Sequence, residues 1–210
     1  MEIIKILNQI ARENTYLLVN EKAILLIDPG SNGREILAKL DELEKPVAAI
    51  LLTHTHYDHI MSLDLVRQHC GHPPVYVSDK EASWLYTPVD NLSGLPRHDD
   101  LVDVIMEPAE QTFQYNEIYD IADFQFEVRQ TPGHSCGGVS FVFAKEECVI
   151  TGDALFKEAI GRTDLPTGNF DTLISSIRQE LFTLPGHFIV YPGHGMATSI
   201  GHEKTFNPFF

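Results

Sequence analysis

The stretch LLTHTHYDHI, residues 51–60, places His54, His56, Asp58 and His59 within six positions, directly after an apolar run. Imidazole nitrogen and carboxylate oxygen are common ligands for zinc and related divalent ions. Side chains alternate along a strand, so His54 and His56 leave a strand end in the same direction. Asp58 and His59 follow where the chain turns into a helix. With ten histidines in 210 residues, the pattern HxHxDH arises by chance on the order of once in 700 such chains. Three more positions offer the same chemistry. TPGHS (131–135) supplies His134, ITGD (150–153) supplies Asp153, and YPGH (191–194) supplies His194. Each follows a strand and has a glycine beside it that lets the backbone turn tightly. Strand ends are where α/β folds gather their sites. His69, His72, His98, His187 and His202 read as surface or structural. Cys70, Cys136 and Cys148 are odd in number and unpatterned, so no disulfide framework is implied.

The elements that must position these residues are legible as periodicities. Residues 15–20 and 23–28 read as a strand pair, ended by the turn chemistry of Asp28-Pro29-Gly30. Residues 33–44 carry Ile36, Leu37, Leu40 and Leu43 at helical spacing, with Pro46 as a stop. Residues 47–52 form a buried strand. Ile60, Leu63 and Val66 predict a second helix, with Asp58 near its start and Gly71 beyond its end. Residues 74–78 read as a strand, and 79–120 show no reliable period. Strands return at 124–130, 138–144 and 148–151. Leu173, Ile177 and Leu181 mark a helix over 170–183, and 188–191 is the last strand. An internal echo joins the two halves. Ala23–Asp28 and Cys148–Asp153 are apolar strands ending in aspartate, while Val47–His54 and His187–His194 end in histidine. Two similar halves are expected, each a sheet backed by helices.

The length fits one domain, residues 1–210, or two small ones. No apolar stretch approaches the roughly 20 residues that span a bilayer. MEIIKILNQIARENTY is too short and interrupted in its apolar segment for a signal peptide, so the expected address is the cytoplasm. Acidic residues outnumber basic ones 30 to 15, for a formal charge of −15. Such a surface repels phosphate backbones and anionic membranes, which argues against nucleic-acid and membrane partners. Two bound divalent cations would offset part of that charge.

THTHYDH, TPGHS, GD and PGHG, in this order, resemble the metallo-β-lactamase fold superfamily across nearly the whole chain. LLIDPG at 25–30, GDALF at 152–156, IGRTDLPTG at 160–168 and NPF at 207–209 narrow the resemblance to the glyoxalase II-like branch, in particular its short bacterial members without the helical C-terminal domain. The resemblance implies an α+β, αββα four-layer sandwich, with two facing mixed β-sheets and helices outside. It implies two metal ions, zinc first with iron or manganese as alternatives. His54, His56 and His134 would bind one, Asp58, His59 and His194 the other, and Asp153 both. Asp58 is also expected to be catalytic. Arg162 corresponds to a basic residue that grips the thiol's terminal carboxylate; read by itself, it is equally a loop arginine in a structural salt bridge. The sequence departs from the branch at Ser62, often glycine, and at Cys136-Gly137. Met196 and Asp164 stand where aromatic residues of the glutathione pocket are expected.

The implied activity is hydrolysis of S-acylated thiols such as hydroxyacylglutathione, by a hydroxide bridging the two metals. A thiol with a pKa of about 8.5 leaves without a strong general acid, and no spare Ser-His-Asp set stands out. The expected partner is a small-molecule thioester, with the protein a monomer or dimer. One alternative is an iron-dependent persulfide dioxygenase of the same superfamily, although PGHG at 192–195 fits the hydrolase better. A second is a metal-stabilised binding or sensing module. A β-lactamase is a weaker third, because such enzymes are normally exported.

Overall fold

The computed structural model describes residues 1–98 and 100–210, with Arg97 through its backbone alone. The chain groups into two compact units. Residues 1–113 and 121–124 make the first, and residues 114–120 and 125–210 the second.

The first unit is a six-stranded sheet in sequential order, β1 (Glu2–Leu7), β2 (Asn14–Val19), β3 (Ile24–Ile27), β4 (Val47–Leu51), β5 (Val75–Val77) and β6 (Gln111–Thr112). β1, β2 and β3 pair antiparallel, and β3 to β6 pair parallel. Parallel neighbours need crossovers. α1 (Gly33–Leu43) makes the first, and α2 (Tyr57–Ile60) with α3 (Leu63–His69) makes the second. Ile36 and Leu40 of α1 and Leu63 and Val66 of α3 pack in one core with Leu17, Val19, Ile24, Leu26, Ile50, Val75 and Val77. Successive sheet members of this set are two residues apart, as one strand face requires. Tyr16, Leu18, Leu25 and Leu51 on the other face are also buried. The central strands are therefore apolar runs rather than alternations.

The second unit repeats this plan. Its sheet runs β14-β13-β10-β9-β8-β7, with β7 (Ile118–Ile121), β8 (Phe124–Gln130), β9 (Val139–Phe143), β10 (Cys148–Gly152), β13 (Ile189–Pro192) and β14 (Thr198–Ser199). Between β10 and β13 lie a small hairpin, β11 (Leu155–Phe156) with β12 (Ala159–Ile160), and α4 (Phe170–Ser176). α4 continues through a wider turn over Ile177–Leu181. Asn169 caps α4 by accepting from Thr172 N at 2.9 Å. Leu173, Ile177 and Leu181 are fully buried with Val149, Val190 and Ile200 of α5 (Ile200–Phe206). β8, β9 and β10 pair antiparallel and β10 with β13 parallel. The echo in the sequence thus has a structural meaning: in each unit the strand ending in aspartate lies parallel to the strand ending in histidine.

Several elements lay outside the periodicities. β1 is an edge strand with one buried residue, Ile6, so EIIKIL shows no clean alternation. β11, β12 and β14 are two residues each, too short to carry a period. Residues 79–120 hold mostly short turns, with β6 and most of β7. Ser62, where the branch often has glycine, has a role in the turn. It is buried and bonds the turn after β3 twice, donating its hydroxyl to Gly30 O and its N–H to Pro29 O. No helix among the described residues is long and apolar enough to cross a membrane.

Cys148 opens β10 and is 3% exposed. Burial first, and then the nearby Glu146 carboxylate, push its thiol from 9.0 up to about 12. The folded chain therefore holds this proton more tightly than the unfolded chain. The associated stability is complete below pH 9 and is lost as pH rises toward 12, at about 1.4 kcal/mol per pH unit. Denaturant unfolding between pH 8 and 11 should show wild type losing stability more steeply than Cys148→Ala. Parallel slopes would refute the assignment.

Candidate metal centre

In the first unit the ligand-type residues stand just beyond β4. The parallel pairing of β3 with β4 sets Ile27 opposite Leu51, and Asp28 N donates to Leu51 O at 3.2 Å. This brings Asp28 beside the histidine segment. Its Oδ1 accepts from Thr53 N at 2.8 Å, and its Oδ2 accepts from Thr53 Oγ1 at 2.6 Å and lies 3.0 Å from His59 Nδ1. A carboxylate only accepts, so His59 Nδ1 carries the hydrogen and leaves Nε2 as the nitrogen that can coordinate. The same logic reaches His54. Thr53 spends its single hydroxyl hydrogen on Asp28, so His54 Nδ1, 3.1 Å from Thr53 Oγ1, is the donor there. Its ring also presents Nε2.

A second buried carboxylate works one step along. Glu81 Oε2 accepts from Thr55 N at 2.9 Å, fixing the residue between His54 and His56. The His54 ring centroid lies 4.6 Å from that of His56 and 4.1 Å from that of His59. His56 stacks on Trp84 at 6.2 Å with 17° between planes. Asp58 Oδ2 lies 3.7 Å from His59 Nε2. Glu13, fully buried, places Oε1 3.8 Å from His59 Nδ1, and its Oε2 accepts from Asn8 Nδ2 at 2.6 Å.

In the second unit the β10–β13 pair does the same work. Gly152 stands opposite Pro192 and Gly193 N donates to Gly152 O at 2.8 Å, which sets Asp153 beside His194. Asp153 Oδ2 lies 3.3 Å from His194 Nε2 and 3.4 Å from His134 Nε2. His134 sits on the tight turn after β8. Gly133 there has φ +127°, and a Cβ would meet Leu173 N of α4 at 2.4 Å, so only glycine fits. His134 Nδ1 donates to Arg162 O at 2.8 Å, because a carbonyl can only accept, and this ring too presents Nε2. Gly161 lets that segment cross Asp153, since a Cβ there would lie 1.8 Å from Asp153 O.

Arg162 is exposed and its guanidinium is engaged. Nε donates to Asp164 Oδ1 at 2.7 Å and an Nη to Oδ2 at 2.6 Å, and this bond raises the arginine's pKa further. His69, His187 and His202 pair with Asp41, Glu147 and Glu158 away from these clusters. Cys70, Cys136 and Cys148 form no disulfide.

The residues that sequence reasoning did not single out are Glu13, Asp28, Thr53 and Glu81. Asp28 was visible as a turn former and as the end of the first echo strand. Glu81 falls in the segment without a period and gave no signal.

Each cluster is built of imidazole and carboxylate donors, with two of the histidines in the first and one in the second held by their Nδ1 edges. That chemistry fits divalent ions of the zinc type. A family model described as the metallo-beta-lactamase superfamily matches residues 11–194. The chain belongs to the metallo-β-lactamase superfamily. A probable metallo-hydrolase of Streptococcus pyogenes serotype M6 is 65% identical over 210 residues, covering 100% of this chain and 90% of that protein. Hydroxyacylglutathione hydrolase GloC of Haemophilus influenzae is 36% identical over 193 residues, 90% of this chain and 88% of that protein. The crystal structure of the BLEG-1 B3 metallo-β-lactamase superposes with a TM-score of 0.93 at 37% identity, over 99% of each chain. The α+β class expected from the sequence, with two mixed sheets and helices, is the fold of this metallo-β-lactamase superfamily member. The superfamily binds divalent metals through His and Asp clusters of this kind.

Proposed function

We propose that residues 1–210 form one catalytic domain, a binuclear metallohydrolase that cleaves S-acylated thiols. In this reading His54, His56 and His134 hold one ion, Asp58, His59 and His194 the other, and Asp153 both. Asp58 is the proposed catalytic residue. The observation that carries the reading is the set of Nδ1 hydrogen bonds, His54 to Thr53, His59 to Asp28 and His134 to Arg162 O, which leave the Nε2 of each ring, two beyond β4 and one beyond β8, to face an ion. Bound divalent ions acidify water toward neutral pH and polarise a carbonyl. The chain's own residues orient the donors: Asp28 through Thr53 and His59, and Glu81 through Thr55. A thioester suits such a site, because a thiolate leaves without protonation. The 36% identity to GloC supports this substrate class. The likeness to BLEG-1 supports a second reading, β-lactam hydrolysis.

The test is elemental analysis beside S-lactoylglutathione, β-lactam and persulfide assays on one preparation. Two ions per chain, with thioester turnover removed by a chelator and restored by metal, is the expected result. Lactam turnover exceeding thioester turnover would install the second reading. One iron with oxygen uptake on a persulfide would replace both.

A further inference from the structure

We propose that Glu203 is a positioning residue for the metal centre: with Asn207 it pins the β11–β12 hairpin, and the hairpin holds His134, Asp153 and His194 in place. The inference rests on reading those three residues as metal ligands, and not on the choice of substrate. The hairpin and the residues directly after it touch all three. Phe156 of β11 packs edge-on to His194, with ring centroids 5.9 Å apart and 90° between planes. Gly161, directly after β12, donates its N–H to Ala154 O at 3.2 Å. It lies so close over Asp153 O that no side chain fits there. Arg162, one residue on, gives the carbonyl that accepts from His134 Nδ1 at 2.8 Å. β11 and β12 are two residues each and form a two-stranded sheet of their own. An isolated hairpin of that kind is marginally stable at best, so its place must be fixed from outside.

α5 supplies that fixing. Glu203 stands in its first turn and is fully buried. Its Oε2 accepts from Glu158 N in the hairpin turn and from Asn207 Nδ2, each at 2.8 Å. Its Oε1 accepts from Thr198 Oγ1 at 2.6 Å. The Asn207 amide also donates to Ala159 O of β12, at 3.0 Å. The turn and the second strand of the hairpin are thus both bonded to α5. Thr198 lies opposite Val190 of β13, the strand that leads to His194, so the same carboxylate also ties the chain that follows that histidine. A buried carboxylate is costly unless its oxygens are well bonded. Here its charge-assisted bonds go to an N–H, an amide and a hydroxyl on the segments that border the ligands. An outer pair, His202 Nε2 with Glu158 Oε1 at 2.8 Å, adds to the same junction. Asn207 opens the NPF tail of the sequence, and this is the work it does. Losing the clasp frees the hairpin while β10 and β13 stay paired, so the loss falls on the ligands before it reaches the core.

The experiment uses the full chain with zinc as the probe, and compares wild type with Glu203→Ala, Glu203→Gln and Ser199→Ala. Zinc affinity is read by competition with a chromophoric chelator, and local opening by amide hydrogen exchange of the metal-free protein. Glu203→Ala should weaken zinc binding about tenfold, the lower end of what outer partners of a metal ligand contribute. It should speed exchange at Gly161 N by at least about tenfold and leave the amides of β10 within about threefold. Glu203→Gln keeps an acceptor for both N–H donors and can donate to Thr198 Oγ1, so it should stay within about threefold of wild type on both readouts. Ser199→Ala removes the cap that accepts from His202 N and loosens α5 without touching the hairpin. It should leave zinc affinity within about twofold. If Glu203→Ala does not fold, Asn207→Ala carries the test, with an expected loss of about threefold in zinc affinity. Unchanged zinc affinity in the folded variant overturns the inference. So does a loss matched by Glu203→Gln or Ser199→Ala, or exchange that rises equally in β10. Wild type that binds no zinc overturns the metal-centre reading, and this inference with it.

Discussion

Asp153→Ala is expected to lower turnover by at least about 10³-fold and to leave no more than one bound ion per chain. Outer partners of a metal ligand typically cost about 10–100-fold on removal, and a carboxylate proposed to serve both ions is expected to cost more. The geometry explains why nothing nearby compensates. Asp153 Oδ2 lies 3.3 Å from His194 Nε2 and 3.4 Å from His134 Nε2, so one oxygen stands close to two of the proposed ligand nitrogens. Asparagine would keep one carbonyl oxygen but lose the negative charge and the second acceptor oxygen, so it would not replace the carboxylate. The fold should survive, because Asp153 follows β10 rather than lying within its ladder. The check is elemental analysis, kinetics and thermal unfolding on one preparation. A folded Asp153→Ala protein with two ions and turnover within tenfold of wild type would remove the centre from the proposal.

The second large effect is expected at Asp28, a residue that makes no proposed metal contact. Asp28→Ala strips acceptors from Thr53 N, Thr53 Oγ1 and His59 Nδ1 together, all in a buried setting. Buried donors left without acceptors should cost about 2–4 kcal/mol of stability in all. Metal affinity should fall about 10–100-fold, because His59 loses the bond that fixes its tautomer and His54 loses its link through Thr53. Trp84 is the single tryptophan of the chain and stacks on His56, so its emission gives a metal titration without turnover. Glu13→Gln should matter less, since Glu13 reaches His59 Nδ1 only at 3.8 Å. Affinity of Asp28→Ala within threefold of wild type would show that the Asp28 network does not support the donors.

Much of the frame was readable from local pattern because burial imposes period. The α1 stripe and the set Leu173, Ile177 and Leu181 announced helices, and the central strands announced themselves as apolar runs bounded by turns. The histidine cluster was legible for a different reason: its residue types are costly to bury without a purpose, so their density after a strand is informative. The segment 79–120 was opaque because it forms short turns whose conformation follows from hydrogen bonds and not from a repeating face. Glu81 sits there looking like any surface acid, yet it is fully buried against Thr55.

By itself, then, the sequence determined the central strands, the helices α1 and α4, the ligand-type residues and the echo of strands ending in aspartate and in histidine. These depend on neighbours a few positions apart, where composition and spacing speak directly. The tertiary structure decided which nitrogen each histidine presents and what holds it. Those answers lie in bonds between residues 25, 31 and 28 positions apart, Thr53 to Asp28, His59 to Asp28 and His134 to Arg162. It also decided that Arg162 faces Asp164, although the two are neighbours in the chain. A sequence records that a cation and an anion are near each other, but only the rotamers of the folded loop determine whether the arginine's fork closes on that carboxylate or on another.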